Sequence, residues 1–584
     1  MELQFDSVTS GVIGGFTPVQ KEYLHGLLNG AATRMQAAGA ATTEAESLDA
    51  ATVHGTPVDE LCREELWKHE EDPLEIWQKL VAYAAENRAP EAADLFRFKY
   101  QGLFYVAPAQ DSFMVRLRVP GGLMTAHQMR GLAEMAEEWG AGRADLTTRA
   151  NVQVRELEPK NILRVLKKLE RLGLTSRGSG ADNIRNITAT PTSGLDPNEL
   201  LDVMPLAEAL QDAILHTRQM YDLPRKFNVA FDSGGRISAV ADTNDIGFVA
   251  VRVTAGRSVP EGVYFRLLLC GITGHRQFAE DCGVLVKPEQ AVAVAMAMIR
   301  VYSEHGDRTD RRKARLKYLV DRWGTERFLD ETESQLGWPL LRADLAECTP
   351  RGAIDRAGHL GVHAQRQAGL HYVGVCVPVG RLPVEQMYTV ANVAEQYGSG
   401  EIRLTVWQNL LIPHIATERL DAALEALQDA GLKWHAGAVM RGTVACTGNR
   451  GCRYAATDTK AHAVALATHL DERFPMLPPV NLHVTGCTHS CAQHYVGDIG
   501  LLGAKVNGAE GYQVLIGGGS DEQQGLAREL IPAIAVDALP AALERLLAAY
   551  LERRREGEAL AEFSRRHTSE ELKALCAQEG CETL

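Results

Sequence analysis

Cys446-Thr-Gly-Asn-Arg-Gly-Cys452 is followed 35 positions later by Cys487-Thr-His-Ser-Cys491, giving the pattern C-x5-C…C-x3-C. Four thiolates among glycines, in loops whose bare backbone N–H groups can approach sulfur, suit a [4Fe-4S] cluster. A structural zinc knuckle prefers closer C-x2-C pairs. The plain alternative is four unrelated cysteines that lie near each other in sequence. His483, His489 and His494 surround this segment, but four thiolates already complete a cubane, so these histidines are read as packing or surface residues. Cys62, Cys270, Cys282, Cys348, Cys376, Cys576 and Cys581 sit singly or in apolar stretches, as buried small hydrophobes do.

A second constellation is cationic. Met114 to Val119 alternates as a strand, which places Arg116 and Arg118 on one face and Val115, Leu117 and Val119 on the other. In Arg225-Lys226-Phe227-Asn228-Val229, Lys226 and Asn228 project together while Phe227 and Val229 point into a core. Thr147-Thr148-Arg149 with Gln153, Arg185 before Asn186, and the run Gly306 to Tyr318 add more donors; that run carries six cations in ten residues. Taken alone, the run reads equally well as a solvated helix face. Together these groups suggest a pocket for a ligand with many carboxylates plus a small anion, because guanidinium forks match carboxylate geometry.

The elements that must position these residues are set by an internal repeat. Arg116 to Asn151 aligns without a gap to Gly374 to Asn409 at a constant offset of 258, with Val119, Pro120, Gly122, Gln128, Met129, Gly140, Gly142, Leu146, Thr147 and Asn151 recurring. Each copy reads as strand, Pro/Gly turn, amphipathic helix ending at glycine, and second strand. Downstream, Leu223-Pro224 answers Leu477-Pro478, and Asp245-Ile246-Gly247 answers Asp498-Ile499-Gly500. Gly374 and Cys376 replace Arg116 and Arg118, so packing of the module does not require those arginines. Two diverged modules of roughly 220 residues, preceded by about 105 unrelated residues, place a site between them. One copy carries thiols and the other is poised for anions.

Composition bounds the rest. The 584 residues are 45% hydrophobic and 23% charged, which excludes disorder and coiled coil and suits two to four domains. Sixty-one basic against 75 acidic residues give a net charge of -14, so a general nucleic-acid surface is not expected and any anion site must be a local pocket. Eleven cysteines, an odd count at low density, argue for reduced thiols or metal ligands. No run of 18 apolar residues occurs and the N-terminus lacks secretory order, so a cytoplasmic protein without membrane spans is expected. Ala-rich stretches at 31–52 and 541–562 are ordinary helix or linker composition. Gly140-x-Gly142 precedes a strand instead of opening a helix, so it is no dinucleotide fingerprint.

These motifs resemble those of the sirohaem-dependent assimilatory nitrite and sulfite reductases. The match covers the four-cysteine set, the arginine-bearing strand before Pro120-Gly121-Gly122, Leu146-Thr147-Thr148-Arg149, Arg185-Asn186, Leu223-Pro224-Arg225-Lys226 and Gly306-Asp307-Arg308-Thr309-Asp310-Arg311, from about residue 100 to 520 in the family's order. The resemblance implies that Cys446, Cys452, Cys487 and Cys491 hold a [4Fe-4S] cluster, the last thiolate also reaching the sirohaem iron. It implies substrate-side residues Arg116, Arg185, Lys226 and Asn228, and sirohaem carboxylates met by Thr147, Thr148, Arg149, Gln153 and Arg315. The implied activity is six-electron reduction of nitrite to ammonium with ferredoxin as donor, by a protein expected to be a monomer. Sulfite reductase on the same scaffold is the runner-up, set apart by asparagine instead of lysine at 228; a non-catalytic Fe–S module ranks below both.

Two departures from the family pattern stand out. Thr488-His489 replaces the usual Pro-Asn, and Cys270-Gly271-Ile272 stands where a glycine triplet is expected, although Gly517-Gly518-Gly519 survives. The implied fold is α+β with a pseudo-twofold repeat: ferredoxin-like half-domains at 106–175 and 355–430 pair into one domain. Mixed α/β sirohaem and Fe–S domains follow at 176–340 and 431–584, the last with a C-terminal helical tail, and 1–105 is an N-terminal extension.

Overall fold

The computed structural model describes residues 52–577. Residues 1–51 of the expected N-terminal extension, nearly all of the first Ala-rich stretch, and Cys581 lie outside the described residues. Residues 52–61 form a small antiparallel pair, Thr52–Val53 with Thr56–Pro57, followed by a turn at Val58–Glu60. Residues from Cys62 onward belong to one compact unit. Among the described residues, no helix is long and apolar enough to cross a membrane.

The repeat is visible element by element. Helix Ala126–Trp139 starts at Thr125, whose hydroxyl accepts from Gln128 N at 3.2 Å while the Gln128 side chain accepts from Thr125 N at 3.0 Å. Its apolar stripe of Met129, Leu132, Ala133 and Ala136 is buried, and Gly140 ends it. The helix Val384–Tyr397, at an offset of 258, buries Met387, Val390, Ala391 and Ala394 and ends at Gly398. The strands Ser112–Arg116 and Arg143–Leu146 both pair antiparallel with Val152–Leu157, and Leu370–Val375 and Glu401–Leu404 flank Leu410–Ala416 in the same way. This is the split arrangement of a ferredoxin-like unit.

The two units exchange strands. Leu123–Thr125 of the first copy completes the second copy's sheet by pairing with Glu401–Leu404, while Arg381–Pro383 of the second pairs with Arg143–Leu146 of the first. The recurring glycine explains how the chain crosses over. Gly122 (φ +78°) and Gly380 (φ +69°) are left-handed, and a Cβ there would lie 2.5 Å from Leu404 O and 2.4 Å from Leu146 O respectively. Only glycine allows that approach.

The segment before residue 106 is less separate than the sequence suggests. Leu103–Val106 is the edge strand of the first half-domain sheet, crossing the expected boundary, and Ile76, Leu80, Tyr83 and Phe98 join that half-domain's core.

Two mixed sheets share one topology. In the first half, Thr188–Ala189, Val229–Asp232 and Ile246–Val253 are parallel, then Gly262–Leu269, Glu280–Val286 and Leu341–Arg342 add antiparallel. In the second, Thr443–Ala445, Leu482–Thr485 and Ile499–Val506 are parallel, with Ala509–Ile516 and Arg528–Ala535 antiparallel. Each sheet carries its own apolar core. The second half ends in helices Leu539–Arg553, Leu560–Arg566 and Ser569–Cys576.

Candidate functional site

Cys446 and Cys487 leave the C-terminal ends of two adjacent parallel strands, where open α/β sheets hold their ligands. Cys446 N extends the ladder to Val484 O at 3.0 Å, and Gly486 N donates to the Cys446 sulfur at 3.2 Å. A Cβ at Gly486 would meet Ala455 Cβ at 2.6 Å, so glycine is what lets the backbone reach the sulfur. Thr459, the first residue of helix Thr459–Arg473, places its hydroxyl 3.6 Å from the same sulfur. Cys446, Cys452 and Cys487 are half-buried, Cys491 opens to solvent, and all four are free thiols.

The four cysteines feel one another. Burial pushes the Cys487 thiol up to about 11, and the charges of Cys491, Cys452 and Cys446 add to this rise. Cys491 is also raised, first by the protein packed around it and then by Cys446 and Cys452, against the pull of Lys226 and Arg116. Among the described residues no three histidine, cysteine or acidic side chains converge as on a single metal ion. A cubane takes one thiolate per iron, so its ligands stand apart around it. The donor set therefore fits a cluster and not a mononuclear metal. His483 is buried with Nδ1 2.8 Å from Ala492 O, His494 is buried, and His489 is exposed against Tyr454.

Facing Cys491 from the first half are Arg116 and Lys226, with Arg185 beside Arg116. Arg116 ends its strand with its guanidinium 4.5 Å from the centre of the Phe104 ring. Arg185 donates only to backbone oxygens, Ser179 at 3.2 Å and Ala181 at 2.7 Å. The Lys226 ammonium has no hydrogen-bond partner among the described residues. Burial lowers Lys226 to about 7, with Arg315 adding to the fall and Cys491 opposing it. Burial likewise lowers Arg116 to about 10, opposed by Cys491, and holds Arg185 well below the usual range, with Arg116 adding to the fall. Phe227 and Val229 are fully buried while Lys226 and Asn228 are half-buried, so the alternation read from sequence is realised. Cations taken from water without a counter-charge are costly. Their company here calls for an anionic ligand.

Other basic residues are already paired. The cationic run is no helix face: Arg308 is buried against Glu65 (2.6 Å), Arg311 meets Asp182 (2.6 Å) and Arg315 meets Asp245 (2.6 Å) before helix Leu316–Trp323 begins. Arg312 and Lys313 alone in that run face solvent among its arginines and lysines. Val115, Leu117 and Val119 share one core as the alternation requires, but Arg118, unlike Arg116, is taken up by the protein. The ladder ends at Arg116, and Arg118 is buried, giving hydrogen bonds to Gly178 O, Ile184 O and the Gln211 side chain.

The expected carboxylate-binding set is spread along the seam between halves. Thr147 Oγ1 accepts from Arg149 N at 3.2 Å, and Thr148 Oγ1 donates to Cys491 O at 3.1 Å. Arg149 gives hydrogen bonds to Asn186 O, Val229 O and Asn244 Oδ1, which leaves one N–H free for a ligand. Gln153 accepts from Arg155 at 2.6 Å, and Arg315 keeps a buried Nε without a partner. A cavity lined by Thr148, Arg149, Asn244, Trp407, His483 and Gln493 runs along this seam. Uncompensated cations and an orphaned guanidinium nitrogen beside the thiols fit a polycarboxylate cofactor.

Arg155 was not among the expected residues. It bonds Thr447 Oγ1 (2.8 Å) and Gly451 O (3.3 Å) of the cysteine loop and pairs with Asp145 (3.0 Å), which also takes Lys460 (2.7 Å). Its spacing of two from Gln153 on one strand was the available signal.

The model of the nitrite and sulphite reductase 4Fe-4S domain matches residues 180–340 and 436–582, and that of the nitrite/sulfite reductase ferredoxin-like half domain matches 106–172 and 363–430. A ferredoxin–nitrite reductase of Leptolyngbya laminosa is 36% identical over 498 residues, covering 82% of this chain and 95% of that one. The assimilatory ferredoxin-dependent nitrite reductase of Haloferax mediterranei is 32% identical over 540 residues, covering 86% and 91%. The solved structure of the Mycobacterium tuberculosis NirA protein superposes with a TM-score of 0.80 at 27% identity over 88% of this chain and 97% of that one. With both repeats matched by both domain models and the thiols and free cations facing each other across the seam, the chain belongs to the family of nitrite and sulphite reductases.

Proposed function

We propose that the protein reduces nitrite to ammonium by six electrons at a sirohaem joined to a [4Fe-4S] cluster, with Cys491 as the shared thiolate and ferredoxin as the donor. The observation that carries this reading is the facing of Cys491 by Arg116 and Lys226, with Arg185 beside Arg116 and none of the three in an ion pair with a carboxylate among the described residues. Relatives named ferredoxin–nitrite reductase support both substrate and donor.

Cys446, Cys452, Cys487 and Cys491 would hold the cluster; Thr147, Thr148, Arg149, Gln153 and Arg315 would meet the carboxylates of the tetrapyrrole. When bound, this pair of groups supplies electron storage and the iron at which substrate is reduced. The chain's own residues do the rest. Arg116, Arg185 and Lys226 draw a small anion inward and stabilise charge that grows on its oxygens as the N–O bonds break. Lys226, near 7, holds a proton that it can give at neutral pH. Asn228, its backbone N–H fixed by Asp245 at 2.8 Å, offers an amide where another cation would favour a dianion. That choice favours nitrite over sulfite.

Steady-state rates with nitrite and sulfite side by side, using one artificial reductant, test the reading. The expected result is a clear preference for nitrite, and a shift toward sulfite in Asn228→Lys. A preference for sulfite in the native protein would overturn the substrate assignment. Lys226→Met should lower turnover by about 100-fold or more while the cofactor spectrum is kept.

A further inference from the structure

One face of the first half-domain's sheet carries a second arginine beside the one that faces Cys491. Asp145 of strand Arg143–Leu146 and Arg116 of strand Ser112–Arg116 both sit opposite Gln153, so they share that face with Arg155, two residues further on. Arg116 stands toward Cys491, whereas Arg155 reaches the other cysteine loop. Its buried guanidinium donates to Thr447 Oγ1 at 2.8 Å and to Gly451 O at 3.3 Å, the residue just after Cys446 and the residue just before Cys452. A Cβ at Gly451 would stand 2.9 Å from Thr447 Cγ2 and 3.2 Å from Arg155 Nη1, so both ends of the loop close on this one side chain.

A carboxylate holds the guanidinium in place. Arg155 Nε lies 3.0 Å from Asp145 Oδ2, and Asp145 Oδ1 takes the Lys460 ammonium at 2.7 Å. Lys460 follows Thr459, whose hydroxyl lies beside the Cys446 sulfur, and also donates to Val379 O at 2.8 Å. All three charges are buried, and Arg381, partly exposed, stands 4.0 Å from the same carboxylate. Burial would raise the Asp145 carboxyl, but Lys460 and Arg155 bring it down to about 2, so it stays ionised. Burial lowers Arg155, and Asp145 and then Cys452 oppose the fall. Two buried cations against one buried anion leave a positive excess beside the loop. In the second copy, 258 positions on, Pro413 and Arg403 replace Arg155 and Asp145, so packing of the module does not ask for this arrangement. Such an excess is costly unless a negative group lies next to it.

We propose that Arg155, clamped by Asp145, fixes the loop between Cys446 and Cys452 and makes the [4Fe-4S] cluster easier to reduce, an inference that rests on the proposed cluster. Charge and hydrogen bonding around such a group set its potential. One electron from the donor adds one negative charge within the four thiolates, and a guanidinium against their loop favours that state; no proton moves and no bond is made or broken. Arg155 is a positioning residue, since it touches the loop and not the substrate.

The test is a redox titration of the holoprotein, read by the electron paramagnetic resonance of the reduced cluster, in Arg155→Gln, Arg155→Lys and Lys460→Met, with iron and acid-labile sulfide counted in each. Arg155→Gln should keep its iron and, at a fixed potential, lower the reduced-to-oxidised ratio about ten-fold, a midpoint about 59 mV more negative. Lys460→Met leaves the bonds of Arg155 to the loop in place and should shift the midpoint the same way by less. Arg155→Lys keeps the charge and should stay near the native midpoint. A native midpoint in Arg155→Gln, or a midpoint in Arg155→Lys as low as that of Arg155→Gln, would overturn the proposal. Should Arg155→Gln lose its iron, the charge is judged on Lys460→Met, where a native midpoint overturns it. A native protein without iron refutes the cluster reading itself and takes this inference with it.

Discussion

The two halves build the same loop with different chemistry. In the second half, Cys446 N donates to Val484 O and Gly486 N donates to the Cys446 sulfur; in the first, Thr190 N donates to Phe231 O at 3.1 Å and Ser233 N to the Thr190 hydroxyl at 3.0 Å. Sheet register makes Thr190 the counterpart of Cys446 and Gly234 that of Cys487. The first-half loop is closed by protein, with Arg351 bound to Gly235 O (2.7 Å) and Asp232 (3.0 Å). The same backbone therefore presents thiols in one half and a salt bridge in the other, and the side chains alone decide. Just ahead of the next strand the roles reverse. Asp245 accepts from Asn228 N and Arg315, Asp498 accepts from Asn481 N (2.7 Å) and Arg356 (3.0 Å), but Lys226 projects only in the first half. Duplication followed by division of labour explains why the site lies on the seam.

The largest break in this comparison is Cys446→Ser against Thr190→Val. The serine variant should lose iron and acid-labile sulfide almost completely, while the valine variant keeps both and loses about 1–2 kcal/mol of stability for an orphaned buried N–H. Iron analysis and thermal unfolding read the two; retained iron in Cys446→Ser would end the division of labour.

Next in size is the carboxylate pair. Asp245→Asn breaks a fully buried contact to Arg315 and should cost about 3 kcal/mol. Asp498→Asn should cost about half of that, because Arg356 is 23% exposed and keeps Gln523 as a partner. Equal costs by denaturant unfolding would show that burial does not separate the two halves.

The last effect concerns acid. Buried histidines among the described residues, His359, His483 and His494, all belong to the second half. Burial lowers His359 to about 3, and it stays neutral against Asn409 and Trp407. Its folded value is depressed, so its contribution is present above about 6.5 and is lost as pH falls toward 3, because the unfolded chain takes up the proton first. At pH 5 that amounts to about 2 kcal/mol. Hydrogen exchange should find the second half opening first as pH falls, and His359→Gln should flatten its pH dependence.

Sequence carried the repeat because the turn glycines, Gly122 and Gly380, are enforced by backbone contact and survive divergence. It carried the thiols because the C-x5-C…C-x3-C spacing is explicit in the chain. The strand exchange was hidden, since alignment shows which segments are alike and not which sheet each joins. Arg118 could not be told from Arg116, because the oxygens that accept from it, of Gly178, Ile184 and Gln211, come from distant segments. The cation run was ambiguous because its partners, Glu65, Asp182, Asp222 and Asp245, come from distant segments. The kinship of Thr190 with Cys446 shows only in backbone register.

Mössbauer spectroscopy of the iron-57-enriched holoprotein tests the central claim most directly, that one thiolate on the second half's loop joins two iron centres beneath the first half's cations. The account predicts a single exchange-coupled system of cubane and tetrapyrrole iron. Two magnetically independent centres, or a cluster with no tetrapyrrole iron, would contradict it.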